Sequence, residues 1–404
     1  MYKKILVGLD GSEKSNFSLD AAVVLSQKIA KNELIGCHIY TSKLHKKRFE
    51  EMERGLPERY QEETKLEYLR GTHESLISDG MQLISDAYID PLIQKSNEKG
   101  LKCSFSTPEG HNYVELLKVI EKEKADLVIL GAYGHGQTLE TRLGSLTERV
   151  LLYSKINDLL IIKKPLNFKN HPIIVGIDGS KNSYQALVRA IELAQLFDEI
   201  KIEIIAIYDP YFHISVFDTI ANVLPTEAQK RFNFTAQEKL HDEIIDSGLE
   251  QLYKEGLEKG ELLAEKMGIK VKSTILTGKV YPKIFQYAAL KEASMIIVGR
   301  WGLHHEQISL IGSNTHNLSN ICSTNILIVN PPTQKIDIPT LKKEESDVKI
   351  EWSREALEYM ELVPPFARKM AQHAVEKYAI ENKLSIIDVE TVKEVSKKLG
   401  MMTK

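Results

Sequence analysis

Two glycine-bearing loops are the segments of this sequence whose residue types and spacing favour contact with a ligand. The first reads GAYGHGQTLETRLGS over 131–145 and the second reads GRWGLHHEQISLIGS over 299–313. In both, two residues separate the first two glycines, nine separate the next two, and a serine follows. Glycines leave the main chain bare and permit positive φ, so phosphate oxygens can come close. The pattern consists of Gly131, Gly134, Gly144 and Ser145, and then of Gly299, Gly302, Gly312 and Ser313.

The serine of each loop opens a predicted helix. Free main-chain amides and the helix dipole at such an end favour an anion, and the serine hydroxyl adds a donor. Asp10 and Asp178 close the first predicted strand of each half, where a carboxylate can accept a hydrogen bond from a sugar hydroxyl or a base amine. These residues predict a nucleotide site in each half. The simpler interpretation is that the glycines only make tight turns.

The loops belong to an internal duplication. Asp10, in ILVGLDGS, recurs 168 residues later as Asp178, in IIVGIDGS, and Gly110 recurs at the same offset as Gly278. The chain therefore contains two copies of one unit, with little net insertion between them.

Each copy predicts a doubly wound parallel sheet, because short β-branched runs without polar alternation are separated by helical patterns. Ser12, Ser15, Ser180 and Ser183 are candidate helix caps. The long stretches 45–100 and 211–268 predict mainly helix, either as a hairpin covering the sheet edge or as a lid or dimer contact. A third strand of each copy is predicted just before Gly110 and Gly278. The other predicted strands are Ile5–Leu9, Leu34–Tyr40, Leu127–Leu130 and Leu159–Ile162 in the first copy, and Ile173–Ile177, Ile202–Tyr208, Met295–Val298 and Ile326–Val329 in the second.

The bulk composition fits an ordinary globular protein of two to three domains. The 404 residues carry a net charge of -3 and are 43% hydrophobic, which gives no basic face for nucleic acid. The apolar run near the N-terminus is too short for a signal peptide, and no run predicts a membrane span. We expect a cytoplasmic protein with no membrane or nucleic-acid partner.

Several chemistries lack support in the sequence. The three cysteines, Cys37, Cys103 and Cys322, stand singly, which argues against a disulfide framework or a metal site. The adjacent His304 and His305 do not share a helix face and predict loop histidines. A Walker A loop would need glycine where Glu13 stands, and a Rossmann GxGxxG is missing. We expect no catalytic residues, no metal ligands and no enzymatic activity, although slow ATP hydrolysis stays open.

The two units resemble tandem universal stress protein domains, over 1–166 and 170–332. This resemblance implies a Rossmann-like fold and an adenine nucleotide, ATP with or without Mg²⁺. It also implies that the two copies pair within the chain through their final strands, with further homo-oligomerisation open. The second copy departs from the pattern, since Asn314 and His316 stand where the first has Leu146 and Glu148. The implied contacts are Asp10, Ile39, Gly131, Gly134, Gly144 and Ser145, and then Asp178, Ile207, Gly299, Gly302, Gly312 and Ser313.

The rest of the chain predicts a charged linker over 333–349 and a small helical domain over 350–404. The domain resembles the small C-terminal domain of one subunit of light-independent protochlorophyllide reductase. It contains no cysteine for a cluster, so the reductase activity is not implied. Two interpretations stay open: a self-contained core, or a docking or oligomerisation module in which Arg368 contacts an anion. The resemblance is carried by Trp352, Val363, Pro364, Phe366, Arg368, Ala371, Glu376 and Ala379.

The favoured function is that of an ATP-binding stress or regulatory protein whose nucleotide occupancy is sensed by an unidentified protein partner or by the C-terminal helices. The alternative is a ligand-free scaffold or dimerisation protein whose C-terminal helices recruit a partner. A third and weaker hypothesis, an enzyme subunit linked to tetrapyrrole or redox metabolism, rests on the C-terminal resemblance alone.

Overall fold

One ten-stranded sheet runs through both copies of the repeat. The structure is a computed structural model. It describes residues 1–53, 55–57, 62–137, 142–154, 158–209, 246–303, 310–333, 335–341, 351–361, 363, 368, 371–372, 374–376, 378–379, 382 and 384–398.

The strand order is β3-β2-β1-β4-β5-β10-β9-β6-β7-β8. Neighbouring strands are parallel except β5 and β10, which pair antiparallel with Leu160 opposite Leu327. The final strands of the two copies therefore join them within one chain, as the resemblance implied. The strands are β1 (Lys4–Gly8), β2 (Glu33–Cys37), β3 (Cys103–Ser106), β4 (Leu127–Gly131), β5 (Asp158–Ile162), β6 (Ile173–Gly176), β7 (Ile202–Tyr208), β8 (Val271–Thr277), β9 (Met295–Gly299) and β10 (Asn325–Val329).

Helices cover both faces of this sheet, which confirms the predicted α/β doubly wound class. Successive strand residues point to opposite faces, so Ile5 and Val7 enter one core and Leu6 enters the other. Helices α1, α3, α6 and α7 pack in the first core, and α4, α5, α8 and α9 in the second. The helices are α1 (Glu13–Lys28), α2 (Ser42–Glu53), α3 (Glu63–Lys99), α4 (Asn112–Glu123), α5 (Ser145–Tyr153), α6 (Lys181–Leu196), α7 (Asp246–Lys266), α8 (Val280–Leu290) and α9 (Ser313–Ile321).

Serine caps fix where the first helix of each copy begins. Ser12 accepts a hydrogen bond from the amide of Ser15 at 3.3 Å, and Ser180 accepts one from the amide of Ser183 at 3.1 Å. Both caps have extended φ and ψ, as an N-cap requires. Of the four candidate caps, these two serines cap the helices and the other two supply the donors.

The long stretch of the first copy is helical, as predicted, and forms α2 and α3. In the second copy α7 confirms helix at the end of the corresponding stretch, while residues 210–245 lie outside the described ones. Strand β2 ends three residues earlier than predicted, and Tyr40 makes an isolated bridge to Glu109 instead. Within the described residues no helix is both long and apolar enough to cross a bilayer.

The chain divides into two compact units. One comprises Met1–Tyr208 with Tyr253–Pro339, and the other comprises Asp209–Leu252 with Thr340–Lys404. The predicted domain limits at 166, 332 and 349 stay predictions, and residues 342–350 of the linker lie outside the described ones.

The C-terminal part of the second unit has its own small core. Helices α10 (Arg354–Met360) and α11 (Val389–Lys398) pack around Ala356, Met360, Val392 and neighbouring apolar residues. A two-stranded parallel sheet joins β11 (Glu351–Trp352) to β12 (Ile386–Ile387). The helices were predicted, whereas the strand pair was not, because two-residue strands leave no periodicity to detect.

Candidate functional site

A cleft of about 580 Å³ opens at the carboxyl ends of β1 and β4. This is where the strand order switches, and it is the usual ligand position in an open α/β sheet. We call it the first cleft. All six residues predicted for the first copy line it: Asp10, Ile39, Gly131, Gly134, Gly144 and Ser145.

Close packing explains why the strand-end and helix-cap glycines of the first cleft have no side chain. A Cβ at Gly131 would lie 2.9 Å from the carbonyl carbon of Lys14, at the start of α1. A Cβ at Gly144 would lie 3.1 Å from the Cα of Tyr133. Both approaches involve main-chain atoms or Cα, which cannot move aside cheaply. These two glycines therefore hold the walls of the cleft together.

Gly134 is needed for a different neighbour, the carboxylate of Asp10. A Cβ at Gly134 would lie 2.2 Å from Asp10 Oδ2. The interpretation that the loop glycines take up positive φ is wrong, because none of them is among the glycines in that region. Positive φ occurs instead at Gly11 (73°) and Gly110 (149°), which turn the chain after β1 and before α4.

The N-terminus of α5 opens into the first cleft. Its N-cap is Gly144, which has no side chain to satisfy the first amides. Thr147 donates its hydroxyl to the carbonyl of Gly131 at 2.7 Å, which fixes the helix end against β4. Ser145, Leu146 and Thr147 all line the cleft. The first turn thus presents unsatisfied N–H groups, the positive end of the helix dipole and a hydroxyl to whatever enters.

Asp10 stands opposite this helix end with one oxygen engaged. Its Oδ1 accepts from the amide of Ser12 at 3.0 Å. Within the described residues no hydrogen bond reaches Oδ2, which faces Gly134. His135 donates from Nε2 to the main-chain oxygen of Asp10 at 2.8 Å and so ties the glycine loop to the end of β1.

The main chain of Ile39 is open at the inner end of the cleft. Leu9 donates its amide to Cys37 at 2.8 Å, and Tyr40 donates to Pro108 at 3.3 Å. Ile39 lies between Cys37 and Tyr40 in the chain and makes no main-chain hydrogen bond to any described residue. An N–H and a C=O left open beside an apolar side chain match the edge of a planar base. Nearby, burial raises the pKa of the Cys37 thiol to about 12, so this thiol is not a nucleophile.

The second copy forms a matching cleft, also of about 580 Å³, which we call the second cleft. Thr315 donates to the carbonyl of Gly299 at 2.8 Å, as Thr147 does to Gly131. Leu152 of the first copy also lines this cleft. The residues predicted for the second copy all line it: Asp178, Ile207, Gly299, Gly302, Gly312 and Ser313.

The second cleft differs in the state of its carboxylate. Asp178 accepts from the amide of Ser180 at Oδ1 and from the amide of Leu303 at Oδ2, both at 2.9 Å. Both oxygens are therefore engaged, whereas Asp10 has one open. Burial, with a smaller contribution from the Asp178 carboxylate, raises the pKa of Tyr184 to about 12. His304 and His305 lie outside the described residues.

One side chain that was not predicted joins the second glycine loop to the first copy. Arg300, fully buried in the second glycine loop, donates to the carbonyls of Leu151 and Ser154 at the end of α5. It also donates to Oδ1 of Asn330 at 2.9 Å. The second loop is thereby fastened to the helix whose other end forms the first cleft. An arginine beside a loop glycine was visible in the sequence, but its distant acceptors were not.

Within the described ranges, no group of three or more His, Cys, Asp or Glu side chains could hold a metal ion. The three cysteines are free thiols.

The model of the universal stress protein family matches residues 1–163 and 169–330, and so covers each copy with its cleft. The chain belongs to the universal stress protein family. A curated relative, universal stress protein MJ0531 of Methanocaldococcus jannaschii, is 28% identical over 164 residues, which are 40% of this chain and 84% of the relative.

Solved structures share the fold of this universal stress protein across both copies. One from Archaeoglobus fulgidus, also a universal stress protein, is 17% identical and covers 81% of this chain and 98% of its own length, with a TM-score of 0.52. Another, from Pseudomonas aeruginosa, is 13% identical and covers 82% and 94%, with the same TM-score of 0.52.

A second family model, for the 57 kD subunit of proto-chlorophyllide reductase, matches residues 352–395. In this module Trp352 donates from its indole nitrogen to Oε1 of Glu376 at 3.2 Å. Arg368 donates to the carbonyls of Glu361 and Val363, at 2.9 and 3.3 Å. Its guanidinium therefore serves the carbonyls that follow α10, while an anion contact stays a prediction. Pro364 and Phe366 lie outside the described residues.

Proposed function

We propose that this universal stress protein binds ATP in its first cleft, and more weakly in its second, and acts as a nucleotide-dependent stress or regulatory protein. One observation carries the proposal: the uncapped N-terminus of α5 opens into a cleft whose facing wall presents the half-engaged carboxylate of Asp10. A helix end that binds an anion faces a carboxylate that binds a hydroxyl or an amine. Together they fit a nucleoside phosphate.

Each part of the nucleotide has a matching partner. The phosphates accept from the amides of Ser145 and Leu146 and from the serine hydroxyl, where charge-assisted bonds are strong. Asp10 Oδ2 accepts from a ribose hydroxyl or a base amine. The open main chain of Ile39 meets the base edge. A volume of about 580 Å³ lies within the usual range for small-molecule pockets.

The proposal is one of binding rather than of metabolic catalysis. We propose that any Mg²⁺ binds through the phosphates of ATP. We further propose that the protein works in the cytoplasm and that the C-terminal module meets a protein partner. The weaker occupancy of the second cleft follows from Leu303, whose amide already engages Asp178.

The alternative is a scaffold that works without ligand. The observation in its favour is the antiparallel pairing of β5 and β10, which joins the copies through main-chain bonds and requires no nucleotide. The two hypotheses predict different results when the first cleft is blocked. The protein loses its function if it acts through ATP, and keeps it if it is a scaffold.

A charge placed at the helix end separates them. In Ser145→Glu the new carboxylate sits in the first turn of α5, where it stabilises the helix but repels phosphate. We expect calorimetry to show ATP binding lost in Ser145→Glu and largely retained in Ser145→Gln, which has the same size without the charge. Ser313→Glu tests the second cleft in the same way.

Unchanged melting temperatures would show that the variants fold. ATP uptake by Ser145→Glu equal to that of the unmodified chain would overturn the proposal. So would the absence of adenine nucleotide, by mass spectrometry, from freshly purified protein that also fails to take up added ATP.

A further inference from the structure

A second cavity, of about 550 Å³, adjoins the first cleft on the outer side of α5. We call it the side pocket. It shares Asn112, Ser145 and Leu146 with the first cleft, so the two cavities meet at the start of α5. None of the residues predicted from the sequence accounts for it except Ser145. A ligand whose phosphate lies at Ser145 therefore has room to continue past the helix end.

The positive charge of the side pocket suits an anion. Lys47 and Arg149 both line it, and each brings a positive charge. The guanidinium carbon of Arg149 lies 4.4 Å from the ring centre of Tyr113, and this cation–π contact orients the guanidinium. The pocket thus has a cation held by a ring contact, Arg149, beside a second cation, Lys47.

Two helices begin at this pocket. The N-terminus of α4 opens there, with His111 as an N-cap whose side chain makes no capping hydrogen bond. The N-terminus of α5 contributes Ser145 and Leu146 from the other side. Two helix dipoles thus point their positive ends at the space that the cations line. Two acidic side chains lie in the first turns of these helices: Glu115 is paired with Lys118 at 2.8 Å, and Glu148 lies 3.4 Å from Nε2 of His316.

We propose that the side pocket receives the terminal phosphates of the nucleotide held in the first cleft, and that it makes the site selective for triphosphates over monophosphates. This inference rests on the proposed function. The second copy lacks this arginine, because Asn317 occupies the place of Arg149, and it carries Lys279 and Lys283 where the first copy has His111 and Glu115. We expect the first cleft to discriminate by phosphate number through Arg149.

The test compares ATP, ADP, AMP and adenosine by calorimetry on the full chain. Arg149→Asn copies the residue of the second copy. We expect it to weaken ATP binding about tenfold, the worth of one charge-assisted contact, while AMP and adenosine change by less than about twofold. Lys122→Gln, which removes an equal charge from the last turn of α4, should change none of the four affinities.

The outcomes separate this inference from the proposed function. If AMP and ATP bind the unmodified chain but Arg149→Asn affects both equally or neither, the side pocket does not hold the terminal phosphates, while the nucleotide site stands. If inorganic phosphate strengthens AMP binding and Arg149→Asn leaves ATP binding intact, the pocket holds a separate anion, and the inference is again wrong. If no adenine compound binds, both proposals fall together.

Discussion

Glu148 and His316 stand 168 residues apart, at equivalent positions of the two copies, and their side chains meet, with 3.4 Å between Oε1 and Nε2. Equivalent residues can touch only near the approximate twofold axis that relates the copies. Glu148 lines the first cleft and His316 lines the second. The two candidate nucleotide sites therefore share a wall at this pair, with a carboxylate in the first cleft and an imidazole in the second.

The carboxylate of Glu148 should weaken phosphate binding in the first cleft. It lies in the first turn of α5, close to the amides that we expect to hold the anion. Replacing it in Glu148→Gln removes a like charge and should tighten ATP binding roughly threefold, the effect of one partly screened charge at this range. Calorimetry measures this, with Glu121→Gln on the outer face of α4 as the control. Equal ATP affinities for Glu148→Gln and the unmodified chain would contradict the prediction.

Arg300 should be a major contributor to stability, because its buried guanidinium serves three acceptors. Burial lowers the pKa of Arg300 to about 10, since the charged form has lost its water. Arg300→Met keeps an unbranched apolar stem but removes the guanidinium, so Leu151, Ser154 and Asn330 lose this donor. We expect the free energy of unfolding to fall by about 3 kcal/mol in urea titrations.

A less severe change checks the reason for that loss. Arg300→Lys retains the charge and can reach fewer of the acceptors. Its free energy of unfolding should therefore lie between those of Arg300→Met and the unmodified chain. If Arg300→Met were as stable as the unmodified chain, apolar packing would have replaced the hydrogen bonds, which is known for some buried ions.

Much of the fold was predictable because it is local and repeated. The buried strands are short, largely apolar runs, and the doubled pattern predicted the bounds of eight of them to within a few residues. The placement of Asp10, Gly131 and Ser145 at one sheet edge followed from parallel topology, since the carboxyl ends of neighbouring strands lie together. Strand β2 ends at Cys37, and Tyr40 instead pairs with Glu109 in an isolated bridge, a contact with no local signal.

The contacts between the copies were not predictable from the same reasoning. The repeat period placed Glu148 and His316 at equivalent positions, but their contact depends on how the β5–β10 joint orients the two halves. The reach of Arg300 into the first copy depends on the same joint. The glycine conformations were also misjudged, because steric exclusion of a Cβ and positive φ both select glycine and look alike in a sequence.

Two glycines of the first loop allow a matched comparison. A Cβ at Gly134 would meet Asp10 Oδ2 at 2.2 Å, while a Cβ at Gly136 would have no neighbour within 4 Å. Gly134→Ala must push the carboxylate aside, so we expect at least a tenfold loss of ATP affinity, the worth of about one hydrogen bond to a charged group. Gly136→Ala should bind ATP normally. Similar ATP affinities for both variants would show that the position of Asp10 does not matter for the ligand.

Lys163 should make stability depend on pH in the alkaline range. It follows β5 and donates from Nζ to the carbonyl of Ser319 at 2.6 Å and also to that of Cys322, at the end of α9. Burial lowers the pKa of Lys163 from 10.5 to about 8. Between these values the unfolded chain holds a proton that the folded chain has released, so the free energy of unfolding rises as the pH increases through this window.

Comparison with Lys163→Met isolates this effect from the other groups that titrate at alkaline pH. The unmodified chain should gain on the order of 2 kcal/mol relative to the variant between the two pKa values, measured by urea unfolding at the two ends of the window. The neutral amine still has two hydrogens for the two carbonyls, so the contacts survive deprotonation. A difference between the two proteins that stays constant with pH, or shrinks as the pH rises, would mean that Lys163 keeps an ordinary proton affinity in the folded chain.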